Sequence, residues 1–371
     1  GAGVTASFYS AVANALYNRE NNRDLPMWLD GGQLGAEDEQ IFHSNGLFPL
    51  PIGEGHEKRQ AILGRFKLLG RLTARCLLDE QVLPLPLSLD FMRIVLREAS
   101  VPCVGGSMPP PIFSTKDFPR LYSEQGKVIQ KLNEVVCNGQ DVYLGDKMID
   151  GMRLEDWLEA ACLETNDPLS GESVGVGSGD EGGGVNVGNV EVFVSILVEK
   201  WTNSGIVKQA QAFVAGCSEN FPAYRLAAFL ESEFSLQFCG EEALEWPIEY
   251  LESAVIPGAG YTRNSEPFKE LLSCMSSMDV PLKRKFLLFV LGCPRLPTGG
   301  LKALSPPLEI SRRLNGSYSS NFASEEVTNK DLPFARTCTH TLHLPPYSSG
   351  KVLLERLVYA IENSKDVIDR D

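Results

Sequence analysis

The sequence predicts an α+β protein made of two parts joined by a connector. Apolar residues recur every three or four positions through most of the first 255 residues, which indicates helices. A glycine- and proline-rich segment follows at 255–261, and its composition favours a flexible connector. The remaining chain, about 110 residues, combines helical patterns with short runs typical of strands and is long enough for one domain.

Composition fits a globular protein and excludes several classes. The chain has 371 residues, 43% of them hydrophobic, which is enough for two or three packed domains. Its formal net charge is −14 and it has no basic run, so nucleic acid is not an expected partner. No apolar run is long enough for a membrane span, and no secretory signal pattern is present. The chain opens directly in helix-like sequence, so we expect it to be part of a longer protein.

The cysteines do not predict a metal site or a disulfide framework. Nine cysteines are scattered without a Cys-x-x-Cys pair, and no histidine has the spacing of a zinc ligand. No cofactor is therefore expected. Such thiols are typical of reduced proteins of the cytoplasm or the nucleus.

The first part is predicted to be helical with interruptions. A stop is expected at Asn21–Asn22, and Asn45–Gly46 is a strong hairpin-turn signal. A proline-rich connector is expected at 100–120. Helices are expected at 60–81, 89–96 and 126–136, followed by two amphipathic helices within 190–213 that Asn203–Gly205 separates.

A Gly/Ser-rich segment at 169–190 contains a literal G-x-G-x-x-G at 177–182. A nucleotide-binding loop needs a strand before it and a helix after it, and the preceding residues have no strand pattern. Asp180 and Glu181 would also repel phosphate. We interpret the segment as a flexible loop.

The second part is predicted to mix helices with short strands. Helices are expected at 266–275, 282–291 and 349–363, and strands at 308–312 and 337–344. Leu332–Pro333 marks a turn, Cys338 follows, and a Thr/Leu-rich run then favours extended backbone. Cys338 is therefore expected at a loop-to-strand junction, where a scaffold can present a reactive group. Cysteine is also common in cores, so local sequence alone leaves an inert and a reactive thiol equally open.

The blocks around Cys338 resemble a known family. Leu-Pro, Thr-Cys and Leu-x-Leu-Pro-x-Tyr-Ser-Ser within 332–349 resemble the catalytic-cysteine signature of HECT-type ubiquitin ligases. Further blocks occur in the family's order, at 66–71, 85–88, 260–262 and 289–301. The resemblance covers nearly the whole chain and is strongest to the ubiquitin-fusion-degradation subgroup. It favours a reactive over an inert Cys338. The other eight cysteines, mostly at apolar helical positions, are expected in the core.

The resemblance implies a bilobal architecture. A large, mostly helical N-lobe would cover 1–255, with a small subdomain at about 110–190 that docks a ubiquitin-conjugating enzyme. A hinge would lie at 256–260, and a small α/β C-lobe at 261–371 would carry the catalytic cysteine. Leu132 and Val136 are candidates for the docking contact, although either could equally pack inward.

The resemblance also implies the chemistry. Cys338 would accept ubiquitin as a thioester from the conjugating enzyme and transfer it to a lysine of a protein substrate. Exchange of one thioester for another is nearly balanced in energy, so the step needs positioning more than a strong base. Arg336 could stabilise the thiolate, and Thr337 and Thr339 could stabilise an oxyanion. In extended chain His340 would lie on the same face as Cys338, unless His340 and His343 are simply exposed strand residues.

Several features depart from the family pattern. His340 stands where family members often have Asn, and no aromatic residue follows Tyr359 in the tail, where many members have one. Residues 315–330 look like a polar insertion. A catalytically silent HECT-like binding module is therefore one alternative. A thiol hydrolase that draws its base from His43 or His56 is another.

Overall fold

The computed structural model describes residues 2–31, 39–41, 43–100, 112–137, 143–176, 184–242, 245–313 and 329–363. The chain divides into two compact units. Unit 1 contains 1–15, 76–85 and 235–371, and unit 2 contains 16–75 and 86–234. No helix of the described residues is both long and apolar enough to cross a membrane.

Helices dominate the described chain, and short strands accompany them. The helices are α1 Ala2–Tyr17, α2 Arg19–Asp24, α3 Arg59–Leu78, α4 Leu89–Ser100, α5 Phe118–Leu121, α6 Ser123–Cys137, α7 Leu154–Ala161, α8 Val190–Glu199, α9 Gly205–Ser218, α10 Glu231–Cys239, α11 Ile248–Ala254, α12 Glu266–Ser277, α13 Val280–Leu291 and α14 Gly350–Glu362. The strands are β1 Met148–Ile149, β2 Met152–Arg153, β3 Ile256–Pro257, β4 Glu309–Arg312, β5 Phe334–Arg336 and β6 Thr341–Leu344.

The strongest helical patterns predict the observed helices closely. Those predicted at 60–81, 126–136, 266–275, 282–291 and 349–363 correspond to α3, α6, α12, α13 and α14, and no boundary differs by more than three residues. Local sequence explains the ends of α13. The Asp279 side chain accepts from the backbone N–H of Leu282 at 2.9 Å, and the helix ends at Gly292 with φ +75°.

Aromatic rings form the core of unit 2. Trp28, Phe66, Phe91 and Phe213 are fully buried. Phe91 lies 5.8 Å from Phe66 and 6.0 Å from Phe213, ring centroid to centroid, and both pairs meet edge to face. Such pairs add about 0.5–1.5 kcal/mol each beyond the area that they bury. The core thus joins α3, α4 and α9.

Two glycines allow α3 and α9 to approach closely. A β-carbon on Gly70 would lie 1.9 Å from the carbonyl oxygen of Phe213, and one on Gly216 would lie 2.0 Å from that of Lys67. Neither distance is compatible with a side chain larger than hydrogen. The 66–71 block is therefore a packing surface between helices.

The break predicted at Asn203–Gly205 is wrong. A π-helical turn, Lys200–Ser204, joins α8 directly to α9. The buried ammonium of Lys200 lies 2.6 Å from the carboxylate of Asp167, pairs with Glu172 and donates to Ser170. Since a buried charge is costly without partners, this cluster ties the turn to the loop beside it.

Residues 169–176 of the predicted flexible loop are anchored in this way, and the G-x-G-x-x-G at 177–182 lies outside the described residues.

Two turn predictions for the first part also need correction. Asn21–Asn22 lies inside α2 and does not end a helix. The turn at Asn45–Gly46 forms, with Gly46 at φ +86° and its N–H donating to His43. It makes no hairpin, because Leu47 pairs in parallel with Leu87, a partner distant in sequence.

Unit 1 contains a sheet with the strand order β3-β4-β6-β5. The pairs β3–β4 and β4–β6 are parallel, and β5–β6 is antiparallel. Residues 256–257 of the predicted hinge form β3. Helices α12, α13 and α14 contribute buried side chains to the same core as the sheet, including Phe268, Leu271, Phe286, Val290, Ile310, Leu342, Leu353 and Leu357.

Candidate active site

The candidate nucleophile lies in the turn of a β-hairpin. Strands β5 and β6 pair with Arg336 opposite Thr341, which leaves residues 337–340 as a four-residue turn. The backbone N–H of Thr339 donates to the carbonyl of Arg336 at 3.2 Å. The single strand predicted at 337–344 is therefore wrong in its first half, since only 341–344 is extended.

Cys338 is exposed in this turn as a free thiol. Of the other described cysteines, Cys76, Cys217, Cys239, Cys274 and Cys293 are buried, as predicted. Burial raises the pKa of Cys76 and Cys217 to about 12, so neither is a thiolate at neutral pH. Cys137 and Cys162 are exposed, which contradicts the prediction that they belong to the core. Exposure alone thus does not single out Cys338, but its place at the tip of a hairpin does.

His340 is a turn residue that anchors the hairpin. Its ring Nδ1 donates to the carbonyl of Pro306 at 2.7 Å, and its own carbonyl accepts from the N–H of Glu309 at 2.9 Å. Its φ is +49°, a left-handed conformation that Asn, Asp and His adopt more readily than most residues. The prediction that His340 lies in extended chain on the face of Cys338 is wrong, and so is its interpretation as an exposed strand residue.

The other predicted supporting residues lie around the turn. Thr337 is half-buried and Arg336 is exposed. The hydroxyl of Thr339 accepts from that of Thr341 at 3.0 Å and lies 3.5 Å from the carbonyl of Arg336. This hydroxyl therefore helps to hold the turn. Roles for Arg336, Thr337 and Thr339 in catalysis stay predictions.

An aromatic stack lies behind the turn on β5 and β6. The rings of Phe334 and His343, opposite each other in the register, stack at 4.4 Å and 14°. Arg313 covers the ring of Phe334 at 5.4 Å. His343 is half-buried, not exposed as predicted. Burial lowers its pKa, and the charges of Arg336 and Arg313 lower it further.

Two buried tyrosines hold the backbone at the end of β6 and just before β5. The phenol of Tyr261 donates to the carbonyl of Leu344 at 2.9 Å, and that of Tyr347 donates to the carbonyl of Asp331 at 2.7 Å. Sequence reasoning assigned no role to either hydroxyl. The signal was available, because both tyrosines lie in the blocks that carry the family resemblance.

Comparison with known proteins identifies the family of the chain. A model of the family described as HECT-domain (ubiquitin-transferase) matches residues 17–367. The chain belongs to the HECT-domain family. Its relatives include a probable ubiquitin fusion degradation protein. This agrees with the subgroup that the sequence was predicted to resemble.

Three HECT relatives match almost the whole chain. The chain is 30% identical over 404 residues to the E3 ubiquitin-protein ligase UPL3 of Arabidopsis thaliana, covering 100% of this chain and 20% of that protein. It is 30% identical over 380 residues to the E3 ubiquitin-protein ligase TRIP12 of Danio rerio, covering 97% and 18%. It is 28% identical over 368 residues to a probable ubiquitin fusion degradation protein of Schizosaccharomyces pombe, covering 97% and 20%. The chain thus spans about a fifth of the length of these relatives.

Of the two residues predicted to dock a conjugating enzyme in this HECT chain, Leu132 needs correction and Val136 stays a prediction. Leu132 is completely buried on the inner face of α6, so it cannot contact a partner, and Val136 is half-buried. Three large apolar side chains nearby in sequence are instead exposed, namely Tyr143, Met148 and Met152 at 61%, 59% and 43%. The apolar pattern of the sequence could not separate the inner and outer faces of α6.

The histidines considered for a hydrolase serve the structure of unit 2. His43 is buried; its Nε2 donates to the carbonyl of Leu121 at 3.1 Å, and its Nδ1 accepts from the N–H of Asn45. The Nδ1 of His56 accepts from the N–H of Lys58 at 3.1 Å. These contacts give no support to a cysteine–histidine hydrolase. The described residues contain no group of three or more metal-ligand side chains close together.

Proposed function

We propose that this HECT chain is a ubiquitin-protein ligase that carries ubiquitin as a thioester on Cys338. The thiolate attacks the carbonyl carbon of the donor thioester, a new carbon–sulfur bond forms, and the conjugating enzyme's cysteine leaves as a thiolate. A substrate lysine then attacks the same carbon. A carbon–nitrogen bond forms, the bond to Cys338 breaks, and the thiol is regenerated.

One observation carries the proposal: Cys338 is an exposed free thiol in a hydrogen-bonded hairpin turn, in a chain that the family model matches from 17 to 367. Thioester exchange needs positioning more than activation. The contacts of His340, Tyr261 and Tyr347 supply that positioning by fixing the turn and the strand behind it. An exposed thiol is also one that a large partner can approach.

The lobes and the hinge belong to this proposal. We infer an N-lobe at 1–255, a hinge at 256–260 and a C-lobe at 261–371 that brings Cys338 first to the donor and then to the acceptor. The glycine and proline content of the segment supports a joint there.

A gel experiment tests the transfer. The chain is mixed with ubiquitin and a charged conjugating enzyme and run without reductant. We expect a ubiquitin adduct that thiol reductant removes, a reductant-resistant oxyester for Cys338→Ser and no adduct for Cys338→Ala. Cys137→Ser and Cys162→Ser are matched controls, since both thiols are exposed. An adduct that survives in Cys338→Ala, or no adduct in the unaltered chain, overturns the proposal.

We further propose that the conjugating enzyme docks on the β1–β2 hairpin and the residues just before it, with the exposed side chains of Tyr143 and Met148 as anchors. Transient interfaces depend on a few apolar anchors, and Tyr143 and Met148 are 61% and 59% exposed. Met148→Asp should weaken binding of the conjugating enzyme about tenfold or more in a titration. Leu230→Asp is the control, because Leu230 is equally exposed in unit 2. Equal affinities for the two variants contradict this surface.

A further inference from the structure

A cleft of about 300 Å³ lies beside the turn that carries Cys338. All of its lining residues belong to unit 1. His340, two residues from Cys338, forms part of its wall. An occupant of this cleft would therefore contact the turn that carries Cys338.

The lining combines carboxylates with apolar walls. Asp79 and Glu80 follow directly on α3, and Arg295 is the cation of the described lining. Asp79 accepts a hydrogen bond from the phenol of Tyr9 at 3.1 Å, while Glu80 is exposed. Arg295 directs one nitrogen to the carbonyl of Gly240 at 3.5 Å. The apolar part of the wall consists of Ala6, Val82, Leu291, Pro297, Ala303 and Leu304.

These properties match one kind of side chain. A lysine has an aliphatic stem that packs against apolar walls and an ammonium head that pairs with carboxylates. The cleft is large enough for such a chain and has one more carboxylate than cations among the lining residues.

We propose that this cleft binds the side chain of the acceptor lysine and orients it for attack on the Cys338 thioester. The inference rests on the proposed function. Glu80 and Asp79 bind the ammonium, and the walls hold its methylene groups. The ammonium loses one proton to solvent, and the amine nitrogen bonds to the ubiquitin carbonyl carbon. The nitrogen then releases a second proton to solvent, an amide forms, and the carbon–sulfur bond breaks. Cys338 leaves as a thiolate and takes a proton from solvent.

Single-turnover discharge tests the cleft. Cys338 is loaded with ubiquitin, loading is stopped, and either Nα-acetyl-lysine or hydroxylamine is added. Glu80→Gln removes one charge without changing the shape of the side chain. Discharge to subsaturating acetyl-lysine should slow about two- to fivefold, the cost of one exposed charged contact. Discharge to hydroxylamine, which is uncharged at neutral pH and has no aliphatic stem, should be unchanged, as should thioester loading.

Glu266→Gln is the matched control, because Glu266 is an exposed carboxylate of the same unit that does not line the cleft. The Glu266→Gln variant should transfer ubiquitin to both nucleophiles at the rate of the unaltered chain. Equal acetyl-lysine discharge by Glu80→Gln and Glu266→Gln overturns the inference but leaves the proposed function intact. Equal slowing for hydroxylamine also overturns it, since that result indicates general damage to the turn. Absence of any thioester overturns the proposed function itself.

Discussion

The ring Nδ1 of His340 donates a 2.7 Å hydrogen bond to the carbonyl of Pro306, 34 residues earlier in the chain. The bond fixes the last residue of the Cys338 turn to the segment that leads into β4. The carbonyl of His340 also accepts from Glu309, the first residue of β4. Both the side chain and the backbone of His340 thus anchor the turn.

The left-handed backbone of His340 leads to the first prediction. Asn tolerates this conformation and Val does not, because a branched β-carbon collides with the backbone there. His340→Asn should load ubiquitin on Cys338 nearly as fast as the unaltered chain. His340→Val should load it several-fold more slowly and lose about 1–3 kcal/mol of unfolding free energy. Urea unfolding and a timed loading assay measure both quantities, and equal behaviour of the two variants contradicts the role of the backbone.

The second prediction concerns the hydroxyls of Tyr261 and Tyr347. Removing one such intramolecular hydrogen bond costs about 1 kcal/mol. Tyr261→Phe and Tyr347→Phe should each lower the free energy of unfolding by about that amount in urea. Tyr359→Phe is the control, since this tyrosine of α14 is 53% exposed and should change stability by less than about 0.5 kcal/mol. If all three variants have the same free energy of unfolding, the hydroxyls of Tyr261 and Tyr347 do not stabilise the fold.

The secondary structure was predictable where a local pattern decides it. Helices α3, α12, α13 and α14 follow from apolar periodicity and end residues alone. Strand β5 was missed because Phe334–Arg336 is three residues long, follows a proline and becomes extended only by pairing with β6. The continuity of α8 and α9 was missed for a similar reason. Lys200 is held there by Asp167 and Glu172, which no local pattern connects to it.

The site shows the same division between local and distant causes. The local sequence signature identifies Cys338. It does not explain why His340, two positions later, has a left-handed backbone. The left-handed turn of His340 depends on its contacts with Pro306 and Glu309, and these come from a distant segment. Likewise, the sequence of α6 could not reveal that Leu132 faces its own core.

The third prediction is a pH dependence that originates at His343. Its pKa is lowered in the folded chain by burial first and then by Arg336 and Arg313. An unfolded histidine titrates near pH 6.5, so below about pH 6.5 the unfolded state binds more protons than the folded state. Stability should therefore fall as the pH drops below that value and level off below the folded pKa.

Two variants separate His343 from the other titrating groups. His343→Phe removes the titration while keeping a ring against Phe334, so its stability should fall less than that of the unaltered chain between about pH 7 and pH 5. Arg336→Gln removes one of the charges that lower the pKa, so the slope should also decrease, by a smaller amount. Urea unfolding at each pH gives the slopes. Identical slopes in the three proteins would falsify the assignment.

The last prediction compares two glycines of the same helix. In α3, a β-carbon on Gly70 would lie 1.9 Å from the carbonyl oxygen of Phe213, whereas one on Gly64 would meet nothing within 4 Å. Gly70→Ala must push α9 away from α3 beneath the buried rings of Phe66 and Phe213, so it should lower the free energy of unfolding by about 2 kcal/mol or more. Gly64→Ala should instead raise it by about 0.5–1 kcal/mol, because alanine favours the helix and restricts the unfolded chain. Opposite signs in urea unfolding are required. A destabilised Gly64→Ala, or a neutral Gly70→Ala, would show that the helices do not touch through this glycine.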